Sequence, residues 1–119
     1  MNKKNKAVQK NPDKVVIYTR NTLKDLPEEY EVRQNTRLLK EQCEKAEYEV
    51  SKIYYEKSSL DSNNFKPVLR QMLKDAASSS WGTVVVRDVL TLSRDGAEIQ
   101  CIERKLAECG VQLMSEYIS

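Results

Sequence analysis

The chain has 119 residues, 39% of them hydrophobic and 32% charged, with a net charge of +2, three cysteines and no histidine. That is room for one domain around one core; no apolar run is long enough to span a bilayer, and without histidine neither a Ser-His-Asp nor a Cys-His catalytic arrangement can form. Cys43, Cys101 and Cys109 are odd in number and widely spaced, which argues against a zinc site or a disulfide framework, so no metal or cofactor is expected.

The charge is uneven. Residues 1–14 hold Lys3, Lys4, Lys6, Lys10 and Lys14 against Asp13 alone, a net +4, and the other 15 basic and 17 acidic residues leave the body at −2. Such a body is not by itself a strong phosphate-binding surface. Residues 1–13, rich in Lys and Asn and without periodicity, read as a disordered basic arm, and 14–119 as the folded domain. Deleting residues 1–12 is expected to change stability little. No apolar stretch follows the N-terminus until Val15, which predicts a cytoplasmic protein rather than a secreted one.

Val15-Val16-Ile17-Tyr18 is a continuous β-branched and apolar run, suited to a strand buried on both faces of a parallel sheet. Asp25 and Pro27 open a helix whose Val32, Leu39, Cys43 and Ala46 share one face. Glu49 to Tyr55 reads as a second strand, and residues 56–65 as a loop. Pro67 opens a second helix with Leu69, Met72, Leu73 and Ala76 inward. Thr83 to Val86 is the clearest strand in the chain. Asp95-Gly96-Ala97-Glu98 looks like a capping box, followed by Ile99, Ile102, Leu106 and Cys109 on one face. Gly110 suits a helix stop, and Val111 to Met114 a final strand. Each cysteine is read as a small buried hydrophobe on the apolar side of its helix.

This alternation predicts an α/β fold: an open, mostly parallel sheet of four or five strands with helices on both faces. Functional groups then collect where strands end and helices begin, at 18–26, 55–66 and 87–95. Gly82, Gly96 and Gly110 form neither a G-x-G-x-x-G nor a P-loop, so no nucleotide is expected there.

Tyr18-Thr19-Arg20-Asn21-Thr22 ends the first strand, Gln34 lies on the first helix, and Glu56 to Asp61 with Lys66-Pro67 follows the second strand. Leu90-Thr91-Leu92-Ser93-Arg94-Asp95 follows the third strand, and Gly110-Val111 precedes the last. In this order and in these slots the stretches resemble the catalytic domain of the serine recombinases, the DNA resolvases and invertases, over about residues 14 to 119. The resemblance implies a resolvase-like catalytic fold, a DNA phosphodiester as the group acted on, a second copy or a related recombinase as protein partner, and no cofactor. It also implies a catalytic set of Thr22 as nucleophile with Arg20, Arg94, Lys66 and Gln34. Arginine suits phosphoryl transfer because its planar fork donates two hydrogen bonds to phosphate oxygens, and the attacking hydroxyl must stand at a strand end, clear of the sheet.

The departures point the other way. Thr22 stands where the family has serine, and its extra methyl crowds an in-line attack. Thr91 and Leu90 replace the family's arginine and aspartate, and Lys66 keeps a charge without the fork. A single arginine at a phosphoryl transition state can be worth roughly 10³–10⁵ in rate, so impaired strand cleavage is expected. The sequence ends at Ile118-Ser119 with neither a helix-turn-helix nor a zinc module, so no DNA-binding module of its own is expected. The alternative is a catalytically dead protein-interaction or regulatory module, or a mobile-element remnant. As residues alone, Arg20 and Arg94 also suit surface arginines paired with Glu56 or Asp95, and Thr22 an ordinary loop threonine.

Overall fold

Val15, Val16, Ile17 and Tyr18 are fully buried, as a strand covered on both faces must be. The computed structural model sets them at the centre of a four-stranded, all-parallel sheet. The structure describes residues 9–20, 28–56, 66–93 and 95–115. In chain order the elements are β1 (Asn11–Arg20), α1 (Glu28–Lys45), β2 (Glu49–Glu56), α2 (Pro67–Ala76), β3 (Trp81–Val86), a 3-10 turn (Val89–Thr91), α3 (Gly96–Glu108) and β4 (Gln112–Ser115). The sheet order is β2-β1-β3-β4, the open α/β architecture that the alternating pattern predicts. No helix among the described residues is long and apolar enough to cross a membrane.

Period-two alternation sorts the core into two layers. On one face Leu39 and Cys43 of α1 pack against Val15, Ile17 and Val85. On the other, Leu69, Met72 and Ala76 of α2 and Ile102 and Leu106 of α3 pack against Val16, Tyr18, Tyr54, Val84 and Val86, with Trp81 and Leu92. The inward faces of α2 and α3 are thus those their periodicity predicts. Val32 lies among the α1 residues whose side chains are outside the description.

Three expectations change. First, β1 starts at Asn11, four residues ahead of its apolar run, so residues 11–13 of the expected arm belong to the sheet. Asn11 N–H donates to the Ser80 carbonyl at 2.8 Å, and Thr83 Oγ1 donates to the Pro12 carbonyl at 2.8 Å. Lys10 Nζ donates to the carbonyls of Ala76 and Ser79, where α2 ends, a favourable place for a cation. A Cβ on Gly82 would come within 2.9 Å of the Asn11 backbone, so glycine is what admits this close approach. Residues 1–8 lie outside the described ones. Second, Cys101 is exposed and Cys109 half-buried; Cys43 alone is a buried cysteine. On α3 the inward residues are Ile102 and Leu106, and a residue one position before Ile102 is rotated about 100° away from them. Third, Ala46 is exposed because α1 ends at Lys45 and Ala46 begins the turn.

Both long helices end in the same motif. At α3, Val111 N–H donates to the Leu106 carbonyl and Gly110 N–H to Ala107, with Gly110 at φ +80°, as its place in the sequence predicts. At α1, Tyr48 N–H donates to Cys43 and Glu47 N–H to Glu44, but here the left-handed residue is Glu47, at φ 67°.

Candidate active site

The strand order reverses at β1. The chain leaves β1 toward β2 on one side, and the later strands β3 and β4 stand on the other. In such sheets the crevice at the carboxyl ends of the two central strands is where ligands bind. Arg20 ends β1, Glu56 ends β2, and the turn carrying Ser93 follows β3. The predicted adjacency of the first and third strands is present, with Val15, Val16 and Ile17 registered on Thr83, Val84 and Val85.

Glu56 is 2% exposed, an unusual place for a carboxylate. It is fully engaged. Tyr18 Oη donates to its Oε1 at 3.0 Å, Leu69 N–H to Oε1 at 2.9 Å and Val68 N–H to Oε2 at 3.2 Å. Helix α2 has no side-chain cap at Lys66, and Pro67 at its first position has no N–H to satisfy. The two amides that follow are taken by Glu56 from across the fold, an anion at the positive end of a helix. Burial, and then the charge of Glu56, push the Tyr18 hydroxyl well above its ordinary pKa. Tyr18 is therefore a fixed donor and not an attacking oxygen. One carboxylate thus ties the end of β1, the end of β2 and the start of α2 together, and Lys66 is the residue this junction holds in place.

The second junction lies at the start of α3. Asp95 caps the helix, accepting from Ala97 N–H at 2.9 Å. The reciprocal half of the expected capping box is absent, because Asp95 N–H donates to Ser93 Oγ at 2.9 Å. Ser93 is buried, and its hydroxyl donates to Glu98 Oε1. Lys66 Nζ donates to the same oxygen at 3.1 Å. The Lys66 side chain is 5% exposed and that of Glu98 38%. Hydrogen bonding from Ser93, then from Lys66, with the charges of Lys66 and Arg20, holds the Glu98 carboxyl below the usual carboxylate range against the opposing effect of its partial burial. Arg20 also acts electrostatically on Tyr18. The ammonium at the head of α2 therefore pairs with a carboxylate at the crevice that also feels the charge of Arg20.

Of the five expected catalytic residues, the structure brings Arg20 and Lys66 to one end of the sheet and one face. Gln34 is exposed on α1, which packs against the opposite face. Thr22 and Arg94 lie outside the described residues, and so does their expected convergence with Arg20. Thr91, where the family has an arginine, sits half-buried in the 3-10 turn, its N–H donating to the Asp88 carbonyl at 2.8 Å. Glu56, Ser93 and Glu98 were each legible only as motif or cap positions. Period two from Tyr54 does place Glu56 on the inward face, and that signal was available. No group of acidic and cysteine side chains among the described residues could hold a metal ion.

The resolvase N-terminal domain family model matches residues 15–118. Among solved structures, the C-terminal catalytic domain of the IS607-like serine recombinase ISC1926 TnpA superposes with a TM-score of 0.76 at 20% identity, over 89% of this chain and 69% of that one. The N-terminal catalytic domain of TP901-1 integrase gives 0.72 at 19% identity, over 86% and 75%. A resolvase family site-specific recombinase from Streptococcus pneumoniae gives 0.70 at 20% identity, over 86% and 70%. These likenesses establish a shared fold. No curated protein sequence matches the chain. The family match spans most of the chain, and the chain belongs to the resolvase N-terminal domain family, with the fold of serine recombinase catalytic domains.

Proposed function

We propose that this domain acts on a DNA phosphodiester at the carboxyl edge of β1 and β3, with weak strand cleavage on its own, and that it works alongside a second copy or a related recombinase. The observation that carries the reading is the buried Lys66 ammonium donating to Glu98 beside the sheet's switch point, with Arg20 at the end of β1 acting electrostatically on the same carboxylate. A cation at a strand end and another at a helix start, on one face of the sheet, suit an electrostatic seat for a phosphate. In the step the family membership implies, the Thr22 hydroxyl gives up its proton and its oxygen bonds to phosphorus. The phosphorus–oxygen bond to the sugar breaks, and the departing oxygen takes up a proton. Arg20, Arg94 and Lys66 stabilise the negative charge that builds on the other phosphate oxygens. Gln34, exposed on the helix that covers the other face, is given a supporting part by the family resemblance alone.

Weak cleavage follows from the residues present. Thr91 supplies no charged fork, Lys66 is a point charge already engaged by Glu98, and Thr22 is more crowded than serine. Sequence-specific binding is assigned to another module, since recombinase-type cleavage gains most from holding the phosphate in place. The test compares the unaltered domain with a Thr22→Ser, Thr91→Arg double variant, each fused to a DNA-binding module and offered that module's site on supercoiled DNA. Trapped covalent protein–DNA adducts are expected from the repaired fusion alone. Adducts in equal yield from the unaltered fusion would overturn the weak-cleavage reading, and none from either would overturn the assignment of the nucleophile.

A further inference from the structure

We propose that Glu98 is a positioning residue that latches Lys66, so that a phosphate gains this cation only by displacing the carboxylate. The inference rests on the reading of this crevice as a phosphate seat. Lys66 is a buried ammonium, and the oxygen it donates to belongs to a carboxylate more than a third exposed. The cation is therefore shielded, and its counter-ion lies nearer to solvent. Glu98 is held from behind as well. Asp95 N–H donates to Ser93 Oγ, and the Ser93 hydroxyl donates to the Glu98 oxygen that Lys66 uses. This short chain fixes the carboxylate through the helix cap itself. Arg20 adds its field at the same group. An incoming phosphate carries the same sign as Glu98 and seeks the same donors, so the two compete, and the coupling is reciprocal. Release of Glu98 would free it to swing outward, because its exposed side chain has room to do so, whereas Lys66 is fixed by the turn that Pro67 and Glu56 impose.

The experiment titrates the full 119-residue chain with inorganic phosphate, followed by nuclear magnetic resonance at the Lys66 ammonium. In parallel, a short duplex oligonucleotide is titrated over a range of salt. Glu98→Gln is expected to bind phosphate about five- to tenfold more tightly than the unaltered chain. Its duplex affinity should gain a steeper salt dependence, by about 0.9 in the logarithmic slope, the signature of one added phosphate contact. Glu103→Gln, exposed on the same helix, is expected to do neither, and the gain should vanish in a Glu98→Gln, Lys66→Met double variant. Equal gains with Glu103→Gln, a gain that survives loss of Lys66, or no gain in a folded Glu98→Gln chain would each overturn the latch. Should Glu98→Gln fail to fold, Ser93→Ala loosens the carboxylate from behind and is expected to show a smaller gain; none there would overturn it too. A phosphate gain through Lys66 with no duplex binding by any variant would uphold the latch and remove the DNA reading. A salt slope that already falls on Lys66→Met alone would remove the latch and leave the DNA reading standing.

Discussion

Replacing Glu56 by glutamine puts a donor among groups that are themselves donors: the Tyr18 hydroxyl and the amides of Val68 and Leu69. At least one is left without an acceptor in a buried site, so Glu56→Gln is expected to lower stability by about 1–3 kcal/mol, read from urea unfolding. Tyr18→Phe, which removes one donor and keeps the ring, should cost less. A second carboxylate gives a pH signature. Asp75 accepts from Tyr54 Oη at 2.6 Å and from Gln71 Nε2 at 2.9 Å, with Lys52 at 3.8 Å. The Tyr54 bond first, then that of Gln71, holds its carboxyl below the ordinary range. A depressed folded pKa means stability that is present above the unfolded value, about 4, and lost as pH falls through the folded one. Asp75→Asn is expected to flatten the acid limb of melting temperature against pH; an unchanged limb would show that Asp75 does not contribute to it. The charged residues at the site were legible unevenly for a physical reason. Arg20 ends a strand, Lys66 precedes the proline that opens a helix, and both are picked out by the motifs they match, whereas Glu98 looks like a surface residue, and Glu56, though period two turns it inward, shows no partner until tertiary structure brings donors to it.

At the scale of elements, helix starts and stops divide in the same way. Gly110 marks its stop in the sequence because only a residue without Cβ takes a positive φ freely, and the structure puts it at +80°. Glu47 fills the equivalent place after α1 at φ 67° with no such mark. Left-handed backbone costs a residue with a Cβ about 1–2 kcal/mol, part of which glycine returns through its freer unfolded chain. Glu47→Gly is therefore expected to raise stability by about 0.5–1 kcal/mol, seen as a higher denaturant midpoint at unchanged slope. A fall in midpoint would mean that the Glu47 side chain holds something more than the turn. The half-formed capping box at α3 shows the limit of local pattern: the spacing from Asp95 to Glu98 is right, but Ser93 and the sequence-distant Lys66 take Glu98 Oε1, and the Asp95 amide donates to Ser93 instead.

For the whole molecule, strand order follows from alternation and handedness, since short right-handed crossovers leave few ways to lay four parallel strands. The margin of the domain does not follow, because it is set by polar contacts. Asn11 and Asp13 are polar and Pro12 has no N–H to give a ladder, so these residues do not read as strand. Yet Asn11 bonds Ser80, Pro12 accepts from the fully buried Thr83, and Lys10 covers the carbonyls at the end of α2. These contacts separate two truncations that composition alone would treat as equivalent. A chain beginning at Gln9 keeps all of them. A chain beginning at Asp13 loses the Asn11 amide bond, strips the buried Thr83 hydroxyl of its acceptor and uncovers two helix-end carbonyls. At about 0.5–1.5 kcal/mol for each of these four bonds, the loss is about 2–6 kcal/mol, enough to lower the melting temperature by several degrees in a domain of this size. Removing residues 1–12 is therefore expected to destabilise the domain, contrary to the composition-based expectation, while removing residues 1–8 leaves these contacts intact. Calorimetry of the two truncations decides it: equal melting temperatures would mean that the first residues of β1 add nothing to the fold.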